Sequence, residues 1–183
     1  TAAHTSGLNL FGTTYCLDRS TGKVRWTFDR AGKMLQSMSS PALASGRVYF
    51  GEGLHEDADC RLFCVDAETG REVWAFATKS HVESSPCVRA GRVYFGAGDD
   101  GVYCVDATDG TLCWQYPGVH VDTTPCVSAN RVYVGCGYDK SEMFCLDAKT
   151  GKLIWRTPSD QSVFGSPTIA GNDVYFGVGH GKL

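Results

Sequence analysis

Apolar stretches and turn-forming residues follow one another in a fixed order that recurs four times along the chain. Each unit starts with Ser/Thr-Pro and a short apolar run: Ser40-Pro41-Ala42-Leu43, Ser85-Pro86-Cys87-Val88, Thr124-Pro125-Cys126-Val127 and Ser166-Pro167-Thr168-Ile169. A tight turn comes next, at Ser45-Gly46, Ala90-Gly91, Ala129-Asn130 and Gly171-Asn172. Such turn residues tolerate positive φ and join antiparallel strands closely. Val-Tyr-Phe/Val-Gly follows at 48–51, 93–96, 132–135 and 174–177. After a variable glycine-rich loop a third apolar stretch, such as Leu62-Phe63-Cys64-Val65, leads into a turn between Asp and Gly. A strand bearing Trp closes the unit.

This order predicts a four-stranded antiparallel meander, its strands labelled A to D. Val48 and Phe50 point to one face and Tyr49 to the other, so both faces of each sheet need cover. Sheets stacked radially on neighbouring sheets supply it, which makes the chain an all-β β-propeller. No segment shows the 3.6-residue period, and Gly and Pro recur too often for a helical solenoid. The strands add up to four blades' worth: a C–D half-blade (Thr14 to Phe28), three full blades and an A–B half-blade (Ser166 to Val178).

The third strand, turn and fourth strand share the pattern Cys-x-Asp-x-x-x-Gly-x-x-x-Trp, from Cys16, Cys64, Cys104 and Cys145. Its tryptophans, Trp26, Trp74, Trp114 and Trp155, stand 48, 40 and 41 residues apart, the period of a repeat architecture. The aspartates, Asp18, Asp66, Asp106 and Asp147, are placed to accept backbone N–H bonds in the C–D turn. The glycines, Gly22, Gly70, Gly110 and Gly151, supply its left-handed residue. Trp on the outer strand is expected to cover the motif of the next blade.

Composition narrows the function classes. The 183 residues are 43% hydrophobic with a formal net charge of −3. No apolar run approaches the roughly 18 residues that cross a bilayer, and no Lys/Arg cluster marks a nucleic-acid or membrane-surface footprint. The repeat-locked cysteines, with Cys87 and Cys126, read as small buried hydrophobes; a disulfide framework is the alternative. Cys60 and Cys64 have the spacing of half a zinc site, with no second pair following. A chain that opens at Thr1 is either processed or excised and carries no address.

The fourfold motif resembles the tryptophan-docking motif of the pyrroloquinoline-quinone (PQQ)-like repeat propellers. That group takes in quinoprotein alcohol dehydrogenases, the lipoprotein propeller of the outer-membrane β-barrel assembly machinery and many large bacterial repeat proteins. The resemblance covers nearly the whole chain, with Cys at the motif's first position where the family usually has Ala. It implies seven or eight blades and an extracytoplasmic location. Residues 1–183 then form one propeller module, expected to belong to a longer chain; a second copy completing an eight-bladed ring and a four-bladed ring are the alternatives. The dehydrogenases hold PQQ against a disulfide of adjacent cysteines beside calcium. This chain has no adjacent cysteine pair and no Cys-x-x-Cys-His haem site. The favoured function is therefore a non-enzymatic scaffold for a protein partner or a small polar ligand, without a cofactor of its own. The alternative is part of a PQQ- and calcium-dependent oxidoreductase.

Candidate chemistry gathers where the meander places its D–A and B–C connections. Just before strand A stand His81 and Glu83 in one unit and His120 and Asp122 in the next; Gln36 with Met38, and Ser162 with Phe164, are their equivalents. Four such groups from adjacent blades are expected to converge on the channel mouth and to bind a divalent metal or a polar ligand. The competing expectation is that each His bonds within its own blade. The long B–C loop of the first full unit carries His55, Glu56, Asp57 and Asp59, a calcium candidate that matches no EF-hand spacing; a solvated loop is its alternative. Gly98-Asp99-Asp100-Gly101 and Tyr138-Asp139-Lys140-Ser141 read as tight turns. His4 and His180 support no assignment. No Ser/His/Asp arrangement, nucleophile elbow or phosphate loop is visible.

Overall fold

Strand follows strand through the computed structural model, which describes residues 11–55, 57–138 and 140–179, with no helix among them. In chain order they are β1 (Thr14–Leu17), β2 (Val24–Phe28), β3 (Ala42–Ala44), β4 (Arg47–Gly51), β5 (Arg61–Asp66), β6 (Glu72–Ala77), β7 (Cys87–Arg89) and β8 (Arg92–Gly96). The second half comprises β9 (Val102–Asp106), β10 (Leu112–Tyr116), β11 (Cys126–Ser128), β12 (Arg131–Cys136), β13 (Glu142–Asp147), β14 (Leu153–Pro158), β15 (Thr168–Ala170) and β16 (Asp173–Tyr175). They form the expected three four-stranded antiparallel sheets, β3–β6, β7–β10 and β11–β14, flanked by the two-stranded sheets β1–β2 and β15–β16. The two half-blades do not pair with each other, so the four-bladed ring is not formed among the described residues.

Register explains the motif. Tyr49, Cys64 and Trp74 face one another across β4, β5 and β6, as do Tyr94, Cys104 and Trp114 in the next sheet. Every C–D pair carries a register shift beside this row. Such a bulge bends and twists the outer strand. Asp66 Oδ1 accepts the backbone N–H of Glu68 and Thr69 and the Thr69 hydroxyl, at 3.2, 2.8 and 2.7 Å. Asp18 and Asp147 repeat the turn. In the third copy Asp106 holds Thr108, and Asp109 holds Thr111 in turn.

The tryptophans dock on the following blade. Trp26, Trp74 and Trp114 donate their indole N–H to the carbonyls of Ala67, Ala107 and Ala148, at 3.0, 3.3 and 3.0 Å. Their rings lie on Gly70, Gly110 and Gly151, where a Cβ would come within 2.6–2.8 Å of ring carbon. These glycines therefore supply space for the neighbouring ring as well as positive φ. Gly22 has the same φ with nothing above it, and Trp155 is only half-buried.

The core lies between the blades. One cluster joins Phe28 to Phe50 and Phe63, a second joins Tyr49 and Trp74 to Phe95 and Val105, and a third joins Tyr94 and Trp114 to Phe144 and Leu146. Cys64, Cys104 and Cys145 are fully buried free thiols in these layers, as expected of small hydrophobes. Burial pushes the Cys64 thiol up to about 11 and that of Cys104 up to about 12.

Two further links tie the blades. Arg47 Nη1 and the Tyr49 hydroxyl donate to the same Ala107 carbonyl as Trp74, and Arg92 and Tyr94 do likewise at Ala148. At the inner strands the N–H groups of Ser40, Ser85 and Thr124 donate to the hydroxyls of Ser85, Thr124 and Ser166, at 2.9, 3.2 and 3.1 Å. That chain is the reason for Ser/Thr before Pro: one residue accepts from the preceding blade through its hydroxyl and donates to the following one through its backbone N–H.

Candidate functional site

Three of the four D–A connections are pinned by a valine, the first having Ser37 in its place. Val82, Val121 and Val163 are fully buried or nearly so, and they sit on Gly51, Gly96 and Gly135, leaving no room there for a Cβ. Their N–H groups donate to the carbonyls of Glu52, Gly98 and Cys136, at 2.9, 3.0 and 3.2 Å. The residues on either side of each valine are thereby held at the loop-rich end. His81 and Glu83 flank Val82; His120 and Asp122 flank Val121.

His81 is 1% exposed. Its Nε2 lies 3.0 Å from Asp122 Oδ1 and its Nδ1 lies 3.3 Å from Ser80 Oγ. Gly98, at φ +43, makes room for it, since a Cβ there would stand 2.5 Å from His81 Cε1. The other oxygen of Asp122 meets His120 Nε2 at 2.8 Å, and His120 Nδ1 meets Asp99 Oδ1 at 2.7 Å. With a carboxylate at each ring nitrogen, His120 donates from both and is an imidazolium. Its hydrogen bond to Asp122, opposed by burial and helped by Asp99, raises its pKa to about 9. Burial works against the charge on Asp122, but His120 and His81 outweigh it and hold the carboxyl below its ordinary range. For His81 too, burial opposes the charge, and the bond and charge of Asp122 prevail to raise the pKa.

The long B–C loop reaches the same place. His55 Nδ1 stands 2.8 Å from Glu83 Oε1, which also accepts the His55 backbone N–H at 2.6 Å. The His55 ring lies edge-on to His81 at 6.0 Å between centroids, and Tyr138 stands edge-on to both His55 and His120 at 6.3 and 4.8 Å. One ligand atom each from His55, His81 and Asp122 lies within 4.8 Å of the others. Beside them is a cleft of about 270 Å³ lined by His55, Asp57, Lys79, Ser80, Asp99 and Asp100.

The structure thus brings His81, His120 and Asp122 together across two blades, whereas Glu83 turns to His55. His120 bonds a loop of its own blade through Asp99, as the alternative expectation has it, whereas the bond between His81 and Asp122 crosses from one connection to the next. The acidic loop does not act as a unit: Asp57 Oδ2 accepts the Leu54 N–H at 2.9 Å, and the Asp59 N–H turns to the Lys79 carbonyl. Glu56 and Asp139 lie outside the described residues, as do His4 and His180. Asp99 and Tyr138, read from sequence as turn residues, are members of the site. The signal for them was positional, since both fall in B–C loops that the meander sends to this end.

Residues 10–135 and 118–181 match the family described as outer membrane protein assembly factor BamB. The chain is 29% identical over 206 aligned residues to the tetrathionate hydrolase of Acidithiobacillus ferrooxidans, covering 96% of this chain and 38% of that protein. Among solved structures it resembles BamB from Moraxella catarrhalis, with a TM-score of 0.70 at 18% identity over 86% of this chain and 47% of that one. It also resembles the quinohemoprotein alcohol dehydrogenase of Comamonas testosteroni, with a TM-score of 0.68 at 20% identity over 91% of this chain and 36% of that one. The chain therefore spans less than half the length of each of these three proteins. With its repeated motif, its tryptophans docked blade to blade and this match along most of its length, the chain belongs to the PQQ-like repeat β-propeller family that includes BamB.

Proposed function

We propose that this chain is a non-enzymatic binding module whose loop-rich end engages a protein partner or a small polar ligand outside the cytoplasm. The observation that carries this reading is the convergence of His55, His81, Glu83, Asp99, His120 and Asp122 from successive connections at one end, beside a cleft of about 270 Å³. Exposed aromatic side chains border it: Tyr138 packs on His55 and His120, and Phe164 on Tyr138. Aromatic anchors beside polar groups are what interfaces favour. The family description, an outer membrane protein assembly factor, supports the extracytoplasmic part. No helix among the described residues is long and apolar enough to cross a membrane.

The test is site-directed photo-cross-linking, with the reactive group at Tyr138 on the loop-rich end or at Lys149 on the opposite end. Cross-links to one defined partner from position 138 alone are expected. Equal cross-linking from both ends, or none from position 138, overturns the reading.

One observation favours a second reading, part of a hydrolase acting on sulfur compounds: the likeness to the tetrathionate hydrolase runs over 96% of the chain. Turnover of tetrathionate by the protein, abolished by Asp122→Asn, would establish it. The quinoprotein alternative fits the residues poorly. Two imidazoles in the candidate set are a nitrogen-rich environment, whereas calcium takes oxygen ligands. No adjacent cysteine pair is present to lie against the quinone. Titration with PQQ and calcium, followed by the quinone absorption band, checks that reading.

A further inference from the structure

We propose that His55, His81 and Asp122 form a three-ligand site for a divalent transition-metal ion of the zinc class. The inference rests on reading the loop-rich end as the binding face, and it names what that face holds.

Geometry comes first. Tetrahedral zinc with bonds of about 2.0–2.1 Å places its ligand atoms about 3.3 Å apart. His81 Nε2 and Asp122 Oδ1 are already 3.0 Å apart. The widest separation within the trio is at most 4.8 Å, so closure needs a movement of roughly 1.5 Å, which the exposed loop of His55 can supply. Three protein ligands leave a fourth position open toward solvent, the form of a site that also binds a small molecule.

Every ligand has a partner behind it. Glu83 takes the Nδ1 side of His55 at 2.8 Å and leaves Nε2 available. Ser80 meets Nδ1 of His81 at 3.3 Å, and His120 meets the far oxygen of Asp122 at 2.8 Å. Metal-binding histidines and carboxylates are oriented in this way, through the atom that does not touch the metal. His120 itself is no ligand, because Asp99 and Asp122 occupy both its nitrogens. Two of the four groups expected from sequence are thus ligands, His81 and Asp122, while of the other two Glu83 backs His55 and His120 backs Asp122.

Charge and softness agree. Glu83, Asp99 and Asp122 set carboxylates around the trio, as a cation site requires. Two imidazoles with one carboxylate select zinc, cobalt or copper over calcium and magnesium. The backbone around His81 is built for close packing, with Gly53 and Gly98 on either side of it.

The experiment is a titration of chelator-treated protein with cobalt(II), read by its visible ligand-field absorption and by the stoichiometry at saturation. One ion per chain is expected, displaced by zinc and untouched by excess calcium. His55 is 58% exposed in its side chain, so His55→Ala leaves the fold intact, as circular dichroism verifies, and lowers cobalt affinity at least tenfold. His120→Gln keeps the stoichiometry and weakens binding by about 10–100-fold, the usual effect of removing a supporting group. Absence of saturable uptake, or uptake unchanged in folded His55→Ala protein, overturns the proposal. Cross-linking from position 138 reads partner docking whatever the metal does, so failure of the metal site and failure of the binding-face reading are told apart.

Discussion

Gly151→Ala, set against Gly22→Ala, tests whether the motif glycine serves the turn alone or also the docked tryptophan. Both glycines have nearly the same positive φ, +70 and +67. Placing Ala in that conformation costs about 1–2 kcal/mol at either site. Only at position 151 does the new methyl meet an indole, 2.6 Å from Trp114 Cδ2. That indole is 7% exposed and tied by its N–H to the Ala148 carbonyl at 3.0 Å, so it has nowhere to retreat. Overpacking of this kind adds about 1–3 kcal/mol. The expected losses are then about 2–5 kcal/mol for Gly151→Ala and about 1–2 kcal/mol for Gly22→Ala. Trp114→Ala by itself costs about 3–5 kcal/mol. Once the ring is gone the added methyl meets nothing, so the double variant should be more stable than additivity requires by about 1–3 kcal/mol. Urea unfolding of the four proteins, with coincident transitions by far-ultraviolet circular dichroism and tryptophan fluorescence, measures the cycle. Equal costs at positions 22 and 151, or an additive cycle, would refute the reasoning.

Three other outcomes are expected. Asp66 has its carboxyl held below the usual value by the Thr69 hydroxyl and the backbone N–H groups of Thr69 and Glu68. A depressed folded pKa contributes stability above the unfolded value and loses it as pH falls through the folded one; Asp66→Asn should therefore flatten the acid limb of a stability–pH profile measured between pH values of about 2 and 6. Arg92→Ala removes two charge-assisted bonds, to the carbonyls of Ala148 and Lys149 at 3.0 and 3.1 Å. It should cost about 1.5–3 kcal/mol in urea while cobalt affinity stays unchanged. Gly98→Ala puts a methyl 2.5 Å from His81 Cε1 and should lower cobalt affinity at least tenfold, and the φ of +43 adds a strain of about 1–2 kcal/mol that urea unfolding reads separately.

The fold was legible because one short pattern had to satisfy turn, strand and docking at once. Asp, Gly and Trp each carry a local signature, and their spacing repeats. What the pattern did not show was long-range reach. Arg47 and Tyr49 bond a carbonyl 60 and 58 residues away, and nothing within a single unit marks them as more than strand residues. The hydroxyl chain from Ser40 to Ser166 is visible only once the inner strands are side by side. The site divides in the same manner. His81, His120 and Asp122 were found because they occupy one register in successive units. The pairing of Glu83 with His55 was not, because His55 sits in an insertion without a counterpart in the other units. Asp99 reads as a turn residue in the sequence, and it is one; its second role comes from His120, which the chain brings to it from 21 residues on.

The two ends of the blades are under different constraints, and that asymmetry decides where chemistry can reside. At the C–D end Asp must brace the turn, Gly must clear the incoming indole, and an alanine carbonyl must meet Trp, Tyr and Arg; a change in any of them loosens a whole interface. At the other end the fixed residue is the valine between strands D and A (Ser37 in the first connection), which in three of the four sits against the last glycine of strand B. The residue before it and the residue after it carry no part of the blade-to-blade docking. Gln36, His81, His120 and Ser162 hold the first position, and Met38, Glu83, Asp122 and Phe164 hold the second. Titratable pairs fill the two middle connections, while Met38 and Phe164 stand at the corresponding places on either side. Phe164 packs on Tyr138 at 5.2 Å, and Tyr138 on His120 at 4.8 Å. These rings exclude water from one flank of the His–Asp chain, and lower local polarity strengthens the bonds within it. Backbone rigidity comes from the shared frame, and the chemistry comes from two variable side chains per unit and one inserted loop. Members of one propeller family can therefore differ in function without any change in how their blades dock.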